Sequence, residues 1–197
     1  GYEVDHKQLD AVEYGVPQFR KRIFILGTRK GVIKRIAYPE PTHSRTPSHS
    51  LSGQPLMSWV RIKEAIGDLP EPSTDTSIPN HYGTRHKVKI NNYMGNRPLE
   101  WNSPSPTITG RGSRTGGPVI HPHPNLHRRL TVRECARLQS FPDTFVFFGS
   151  PSSQYAQVGN AVPPLLAFRV AQKIMKCVGE KPRTFDPKQW LLPWSRK

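Results

Sequence analysis

The sequence predicts an α/β chain with an incomplete sheet, joined to a small, irregular β-rich module. Three observations predict this. Tyr2–Asp10 alternates loosely and Arg22–Gly27 (RIFILG) is an apolar run of strand length, so two short strands flank the loop Glu13–Lys21. Two helical segments lie far downstream, at Thr131–Gln139 and Pro163–Val178, and each carries apolar residues that need a sheet to cover. The 21 Pro and 15 Gly among 197 residues impose turns and short elements instead of a helix bundle. Two strands make a poor sheet. The expectation is therefore the later part of a larger α/β enzyme, and a first residue Gly1 in place of Met points the same way.

In chain order, Tyr38–Gln54 is rich in Pro, Ser, Thr and His and reads as a linker. Val60–Leu69 (VRIKEAIGDL) reads as one short helix closed by Pro70. Glu71 to Gly117 has no helical periodicity, only the strand-like pieces Lys87–Ile90 and Thr107–Thr109 among turns. Thr131, with Glu134 three residues on, forms a capping box; Ala136 and Leu138 follow, and Phe141-Pro142 ends the segment. Pro163 and Pro164 open the last helix, where missing N–H groups cost least, and Leu165, Leu166, Phe168, Val170, Ile174, Met175 and Val178 give it broad apolar coverage. The expected division is 1–37 for the end of a sheet, 38–157 for the linker and small module, 158–178 for a returning helix, and 179–197 for a tail. Trp190 and Trp194 in that tail have no assignment.

Lys and Arg number 29 against 14 Asp and Glu, a net charge of +15, which points to a polyanion. Between His81 and Ser140 stand Arg85, Lys87, Lys89, Arg97, Arg111, Arg114, Arg128, Arg129, Arg133 and Arg137 against Glu100 and Glu134. An Arg-dominated stretch seeded with Gly, Ser, Thr and Asn suits phosphates and base edges, because guanidinium forks bind both bidentately. Charge alone leaves a solvated surface or an acidic protein partner equally open. No apolar run reaches 18 residues, which excludes a transmembrane helix. No signal peptide opens the chain, and Cys135 and Cys177 cannot build a disulfide framework. A soluble intracellular protein is expected, cytoplasmic in a prokaryote and nuclear in a eukaryote.

Three blocks are specific: YGVPQFRKRIF at 14–24, RRLTVRECARLQSFPD at 128–143 and QVGNAVPPLLA at 157–167. In this order, with a variable insert between the first two, they resemble the last three shared motif blocks of the DNA (cytosine-5) methyltransferases. VRIKEAIGDLP at 60–70 and SPSPTITGRGSRTGGPVIHP at 103–122 support the resemblance, which covers nearly all of residues 1–178. It implies the C-terminal portion of a class I S-adenosylmethionine-dependent methyltransferase fold, the end of its mixed sheet plus a small target-recognition domain. It also implies S-adenosylmethionine as cofactor and duplex DNA as partner. Arg22 would contact the extruded cytosine at O2, where a cation stabilises negative charge on the ring. Arg20 and Gln18 would support the catalytic loop and the DNA backbone. Gly159, Asn160, Ala161 and Val162 would close the cofactor pocket on a turn ahead of the last helix. The recognition candidates are Arg85, Lys87, Lys89, Asn91, Asn92, Arg97, Arg111 and Arg114. Arg133 is a further DNA-backbone candidate, although with Arg129 and Arg137 its first expected role is anchoring.

The departures matter as much. The family's mechanism needs a Cys in a Pro-Cys loop, whose thiolate attacks C6 of a flipped cytosine. Cys135 follows Glu134 and Cys177 follows Lys176, and no Glu-Asn pair occurs. The Gly-rich piece Gly110–Gly117 is cationic, with no strand–helix unit before it, and reads as a DNA-contacting loop. The expectation is a fragment or subunit, inactive alone, whose other half brings the nucleophile and the cofactor turn. A non-catalytic DNA-binding or regulatory module, and an RNA-directed relative, are the alternatives.

Overall fold

The computed structural model describes residues 1–32, 36–72, 77–83, 88, 90–91, 96–110, 120–125 and 127–180. Its largest sheet is an antiparallel hairpin of β1 (Tyr2–Asp10) and β2 (Lys21–Arg29), in register from Tyr2 opposite Arg29 to Asp10 opposite Lys21. The neck of the connecting loop is closed twice. The Asp10 carboxylate accepts from the Arg20 amide at 2.9 Å, and the Ala11 amide donates to the Arg20 carbonyl at 3.0 Å. A 3-10 turn at Ala11–Tyr14 ends at Gly15, whose φ of +86° is left-handed. A Cβ on Gly15 would lie 2.7 Å from Cε1 of His43, so glycine is required twice over. His43 belongs to β3 (His43–Ser44), which pairs in parallel with β4 (Met57–Ser58) inside the segment expected to be a linker.

Four α-helices follow among the described residues. The first, α1 (Ile62–Ile66), is shorter than the sequence suggests because Gly67 and Pro70 stop it. The second, α2 (Val132–Leu138), has the expected capping box: Thr131 Oγ1 accepts from the Glu134 amide, and the Glu134 carboxylate accepts from the Thr131 amide at 2.7 Å. The third, α3 (Pro151–Asn160), is a correction. The sequence reading places a turn at Gly159-Asn160, yet these residues are the last of a ten-residue helix. Ser150 caps it through the Ser153 amide and Pro151 occupies its first turn, a start signal overlooked beside the polar run Ser152–Gln154. The last, α4 (Pro164–Cys177), falls where expected.

Much of the middle region expected to be β-rich, including 84–87, 92–95 and 111–119, lies outside the described residues. Among the described residues of 77–110, extended pairing amounts to one isolated parallel bridge from Ser105 to Gln18. Thr107–Thr109 is not a strand, because side chains replace the ladder there. Thr107 Oγ1 donates to the Phe19 carbonyl at 2.6 Å, and the Ile108 amide donates to Gln18 Oε1 at 3.3 Å. Of the other proposed strand, Lys87 and Lys89 lie outside the described residues.

Two apolar clusters form the core. One gathers Ile62, Ile66, Leu130, Leu138, Phe147 and Val158 from α1, α2, α3 and the loops around them. The other sets Leu9, Tyr14 and Val16 of the hairpin and its loop against Leu165, Leu166 and Val170 of α4. The segment Gln18–Arg20 links them.

Candidate functional site

A buried guanidinium in the first motif block reaches the third and the segment around Ile108, and the neighbouring Gln18 reaches the second. Arg20 is 1% exposed; Nη1 donates to the Ile108 carbonyl at 2.7 Å, and Nη2 donates to the carbonyls of Gly159 and Ala161 at 2.7 and 2.9 Å. The last carbonyls of a helix have no partner within it and carry the negative end of its dipole. Arg20 therefore caps the C-terminus of α3 with a full positive charge. Gln139 supports the same end, donating from Nε2 to the Val158 carbonyl at 2.7 Å. Gln18, fully buried, donates to the Leu138 carbonyl at 3.3 Å at the end of α2. Ser140, held at φ +63°, accepts on Oγ from the Leu165 amide at the start of α4. Hairpin loop, residues 105–110, α2, α3 and α4 are thus tied together by Gln18, Arg20, Gln139 and Ser140.

Burial and the neighbouring Arg22 pull the Arg20 pKa down to about 10, which leaves it charged at neutral pH. Arg22 differs from its two neighbours in the motif. It is half-buried, and its guanidinium, at the surface, donates to the Lys21 carbonyl at 2.7 Å. Gln18 and Arg20 are enclosed with their polar ends on backbone groups; Arg22 ends where another molecule can reach it.

Beside this knot two backbones touch. A Cβ on Gly159 would collide with the backbone of Thr109 and Gly110, and one on Gly110 would collide with the Asn160 amide. Gly159 is therefore committed to the protein's own chain. At this end of α3, Asn160 and Val162 are exposed, with Ala161 between them, and the Asn160 carboxamide lies against Gly110.

The second block is architectural. Arg133, expected also to touch the DNA backbone, is fully buried. Its Nε, Nη1 and Nη2 donate to the carbonyls of Pro79, Pro142 and Phe145 at 2.9, 2.9 and 2.6 Å. A guanidinium enclosed by three carbonyls is out of reach of a phosphate, so Arg133 serves as an anchor and not as a DNA contact. Arg129 donates to the Ile120 carbonyl and Asn96 Oδ1, and Arg137 holds Asp143 bidentately and Asp68 through Nη1. Arg128 grips the buried Glu134 with two bonds of 2.8 Å, a pairing that the adjacent letters RRLTVRE already contained. Cys135 is buried, and burial pushes its thiol well above the ordinary range, so it is an inert packing group.

Of the recognition candidates, Arg97 is exposed, and Asn91 accepts a 3.1 Å bond from Asn96. Arg85, Lys87, Lys89, Asn92, Arg111 and Arg114 lie outside the described residues, as do Trp190 and Trp194. No helix among the described residues is long and apolar enough to cross a membrane.

The fold has counterparts among solved methyltransferases. A putative DNA modification methyltransferase encoded within a prophage of E. coli superposes with a TM-score of 0.61 at 21% identity, over 91% of this chain and 62% of that one. The Entamoeba histolytica methyltransferase EhMeth gives 0.53 at 11% identity, over 89% and 54%. These likenesses establish a methyltransferase fold. The family model described as C-5 cytosine-specific DNA methylase matches residues 1–176, and the chain belongs to that family. Its members use S-adenosylmethionine as methyl donor.

Among curated proteins, the type II methyltransferase M.MthTI of Methanothermobacter thermautotrophicus is 35% identical over 202 residues, 89% of this chain and 57% of the relative. M1.HphI of Haemophilus parahaemolyticus is 34% identical over 89% of this chain and 49% of its own length, and M.BsuRI of Bacillus subtilis 35% over 88% and 42%. The chain spans about half the length of these relatives.

Proposed function

We propose that this chain is the C-terminal portion of a DNA (cytosine-5) methyltransferase, binding duplex DNA and completing a site whose nucleophile lies in another segment. The observation that carries this reading is the division of labour in the first motif block. Gln18 and Arg20 bind the motif blocks into one rigid body, and Arg22 alone of the three presents its guanidinium at the surface. A cation fixed there stabilises negative charge that develops on a pyrimidine when a thiolate adds to its ring. Rigid support matters because a small displacement of such a group weakens catalysis steeply.

The cofactor fits as one partner of a wall. Asn160 would offer its amide and Val162 its apolar surface, while Gly159 lets the end of α3 approach the backbone of Thr109 and Gly110. When bound, S-adenosylmethionine supplies the methyl group. Sequence reading would fall to the basic region that includes Arg85, Lys87, Lys89, Arg97, Arg111 and Arg114, with Arg favouring guanine edges and phosphates. Neither cysteine of the chain suits the nucleophile's place: Cys135 is buried, and Cys177 ends α4 after a lysine.

The test is complementation. Transfer of labelled methyl groups to duplex DNA should be absent with this chain alone and present once a segment carrying a Pro-Cys loop is added. Salt-sensitive DNA binding without transfer in any such mixture would favour a non-catalytic module instead.

A further inference from the structure

We propose that the C-terminal segment 181–197 docks its tryptophans, Trp190 and Trp194, in the cavity past the end of α4, between the open end of the β1–β2 hairpin and residues 36–38. The inference is independent of the partial-chain reading, because both the cavity and its occupant belong to these 197 residues.

The cavity lies on the side of the hairpin that α4 covers, beyond the point where α4 stops. On that side Leu9 and Phe24 pack in one cluster with Leu165, Leu166, Val170 and Ile174. The register sets Lys7 opposite Phe24, Asp5 opposite Leu26 and Glu3 opposite Thr28, so these residues continue the same side toward the open end. Tyr38 is fixed against this stretch, its hydroxyl donating to the Asp5 and Phe24 carbonyls at 2.9 and 3.1 Å. Two adjoining cavities of about 480 and 280 Å³ share Asp5 and Ile36. Lys7 and Tyr38 line the larger; Glu3, Leu26 and Thr28 line the smaller.

The course of α4 delivers the chain to this place. Arg169 stands within electrostatic reach of His43 and Lys173 within reach of Glu40, so each turn of the helix advances along the segment 36–43 toward residue 36. One turn after Lys173 the helix ends at Cys177. Gly179, at φ +81°, then stops it: its amide donates to the Lys176 carbonyl at 3.3 Å, and the Glu180 amide to the Met175 carbonyl at 3.0 Å. Among the described residues, α4 thus leaves Leu26 and Ile36 half-buried.

The residues that follow suit the space in three ways. They carry Phe185, Trp190, Leu191, Leu192 and Trp194, and an indole buries its ring while its N–H finds an acceptor such as the Glu3 or Asp5 carboxylate. They are basic, with Lys181, Arg183, Lys188, Arg196 and Lys197 against Asp186, whereas Glu3 and Asp5 outnumber Lys7 in the lining. The stretch from Glu180 to Trp190 spans up to about 34 Å when extended, more than the roughly 21 Å length of α4 itself.

The experiment uses the full chain in a Cys177→Ser background, with Leu26→Cys as reporter and Cys135 buried. Maleimide labelling at position 26 is timed with the native tail, with Trp190→Ser/Trp194→Ser and with the conservative Trp190→Phe/Trp194→Phe. Ile36→Cys repeats the measurement from another wall of the cavity, and Leu51→Cys, at a 97% exposed position, is the control. The expected result is labelling of the cavity at least about tenfold faster with the serine pair. The phenylalanine pair should stay close to the native rate, and position 51 should react alike in every tail. Equal cavity labelling with all three tails overturns the proposal. So does acceleration at position 51 together with the cavity, which would report general unfolding. Protection that appears only in a sedimenting dimer assigns the cavity to the tail of a second copy and likewise overturns it. None of these outcomes bears on methyl transfer by an assembled enzyme.

Discussion

Replacing Arg20 by methionine keeps the length of the side chain and removes every donor from it. The native guanidinium gives bonds of 2.7, 2.7 and 2.9 Å to the carbonyls of Ile108, Gly159 and Ala161, in a place sealed from water. Bonds from a charged donor contribute roughly 1.5–3 kcal/mol each, and a buried acceptor left alone loses its share in full. Opposing this is relief of a buried charge: a pKa drawn down to about 10 corresponds to roughly 3 kcal/mol of desolvation and repulsion from Arg22. The bonds win, and the net loss is about 3 kcal/mol, which lowers the melting temperature by about 6–12 °C in a chain of this size. Arg20→Lys keeps the charge, but one ammonium cannot span three carbonyls, so about 2 kcal/mol is still lost. Urea unfolding followed by tryptophan fluorescence reads this loss, Trp59 among the four tryptophans packing edge-on against Phe19 beside the loop at 5.3 Å. Stability of Arg20→Met within about 0.5 kcal/mol of wild type, or full rescue by lysine, would refute the argument that these carbonyls depend on the guanidinium fork.

Three further outcomes are expected. Burial first, and Arg169 second, hold the His43 pKa at about 4. Because the folded value is depressed, the unfolded chain takes up the proton first as pH falls. The neutral ring's contribution is full above about pH 6.5 and shrinks by roughly 2 kcal/mol between pH 7 and pH 5. His43→Asn should flatten that part of a urea-derived stability profile, and an unchanged slope would show that the ring does not titrate this way. Gly159→Ala forces a methyl group into the backbone of Thr109 and Gly110; a loss of about 2–3 kcal/mol in chemical denaturation is expected, and a neutral effect would mean that the two chains separate freely. Thr131→Val removes the cap of α2 and the bond to His81 at nearly constant volume, for a loss of about 1–2 kcal/mol; amide exchange across Val132–Leu138 checks whether the loss is local.

Much of this was legible because it is written locally. The alternation at Tyr2–Asp10, the run RIFILG, the Thr131–Glu134 box and the paired prolines before α4 each announce an element within a few residues. The helix α3 was harder to read: its apolar positions reduce to Tyr155 and Val158 on one side, and its Ser150-Pro151 start stood in polar surroundings. The site divided along the same line. That Gln18, Arg20 and Arg22 share one motif is visible in the letters, but alternation along a strand assigns all three to one side and cannot say which are enclosed. The separation arises from contacts over about a hundred residues of chain, Arg20 to Ile108, Gly159 and Ala161, which no local pattern encodes. For the same reason Arg133 read as a cation available to DNA, when its partners Pro79, Pro142 and Phe145 are scattered carbonyls without side-chain signatures.

Methyl transfer by the assembled enzyme with Arg22→Ala tests the functional reading most directly. Labelled methyl incorporation into duplex DNA is measured for this chain combined with a segment bearing the Pro-Cys loop, alongside the affinity between the two parts. The expected result is assembly within about twofold of wild type and turnover reduced by about 100-fold or more. Normal turnover from the Arg22→Ala assembly, or transfer by the 197 residues alone, would contradict it.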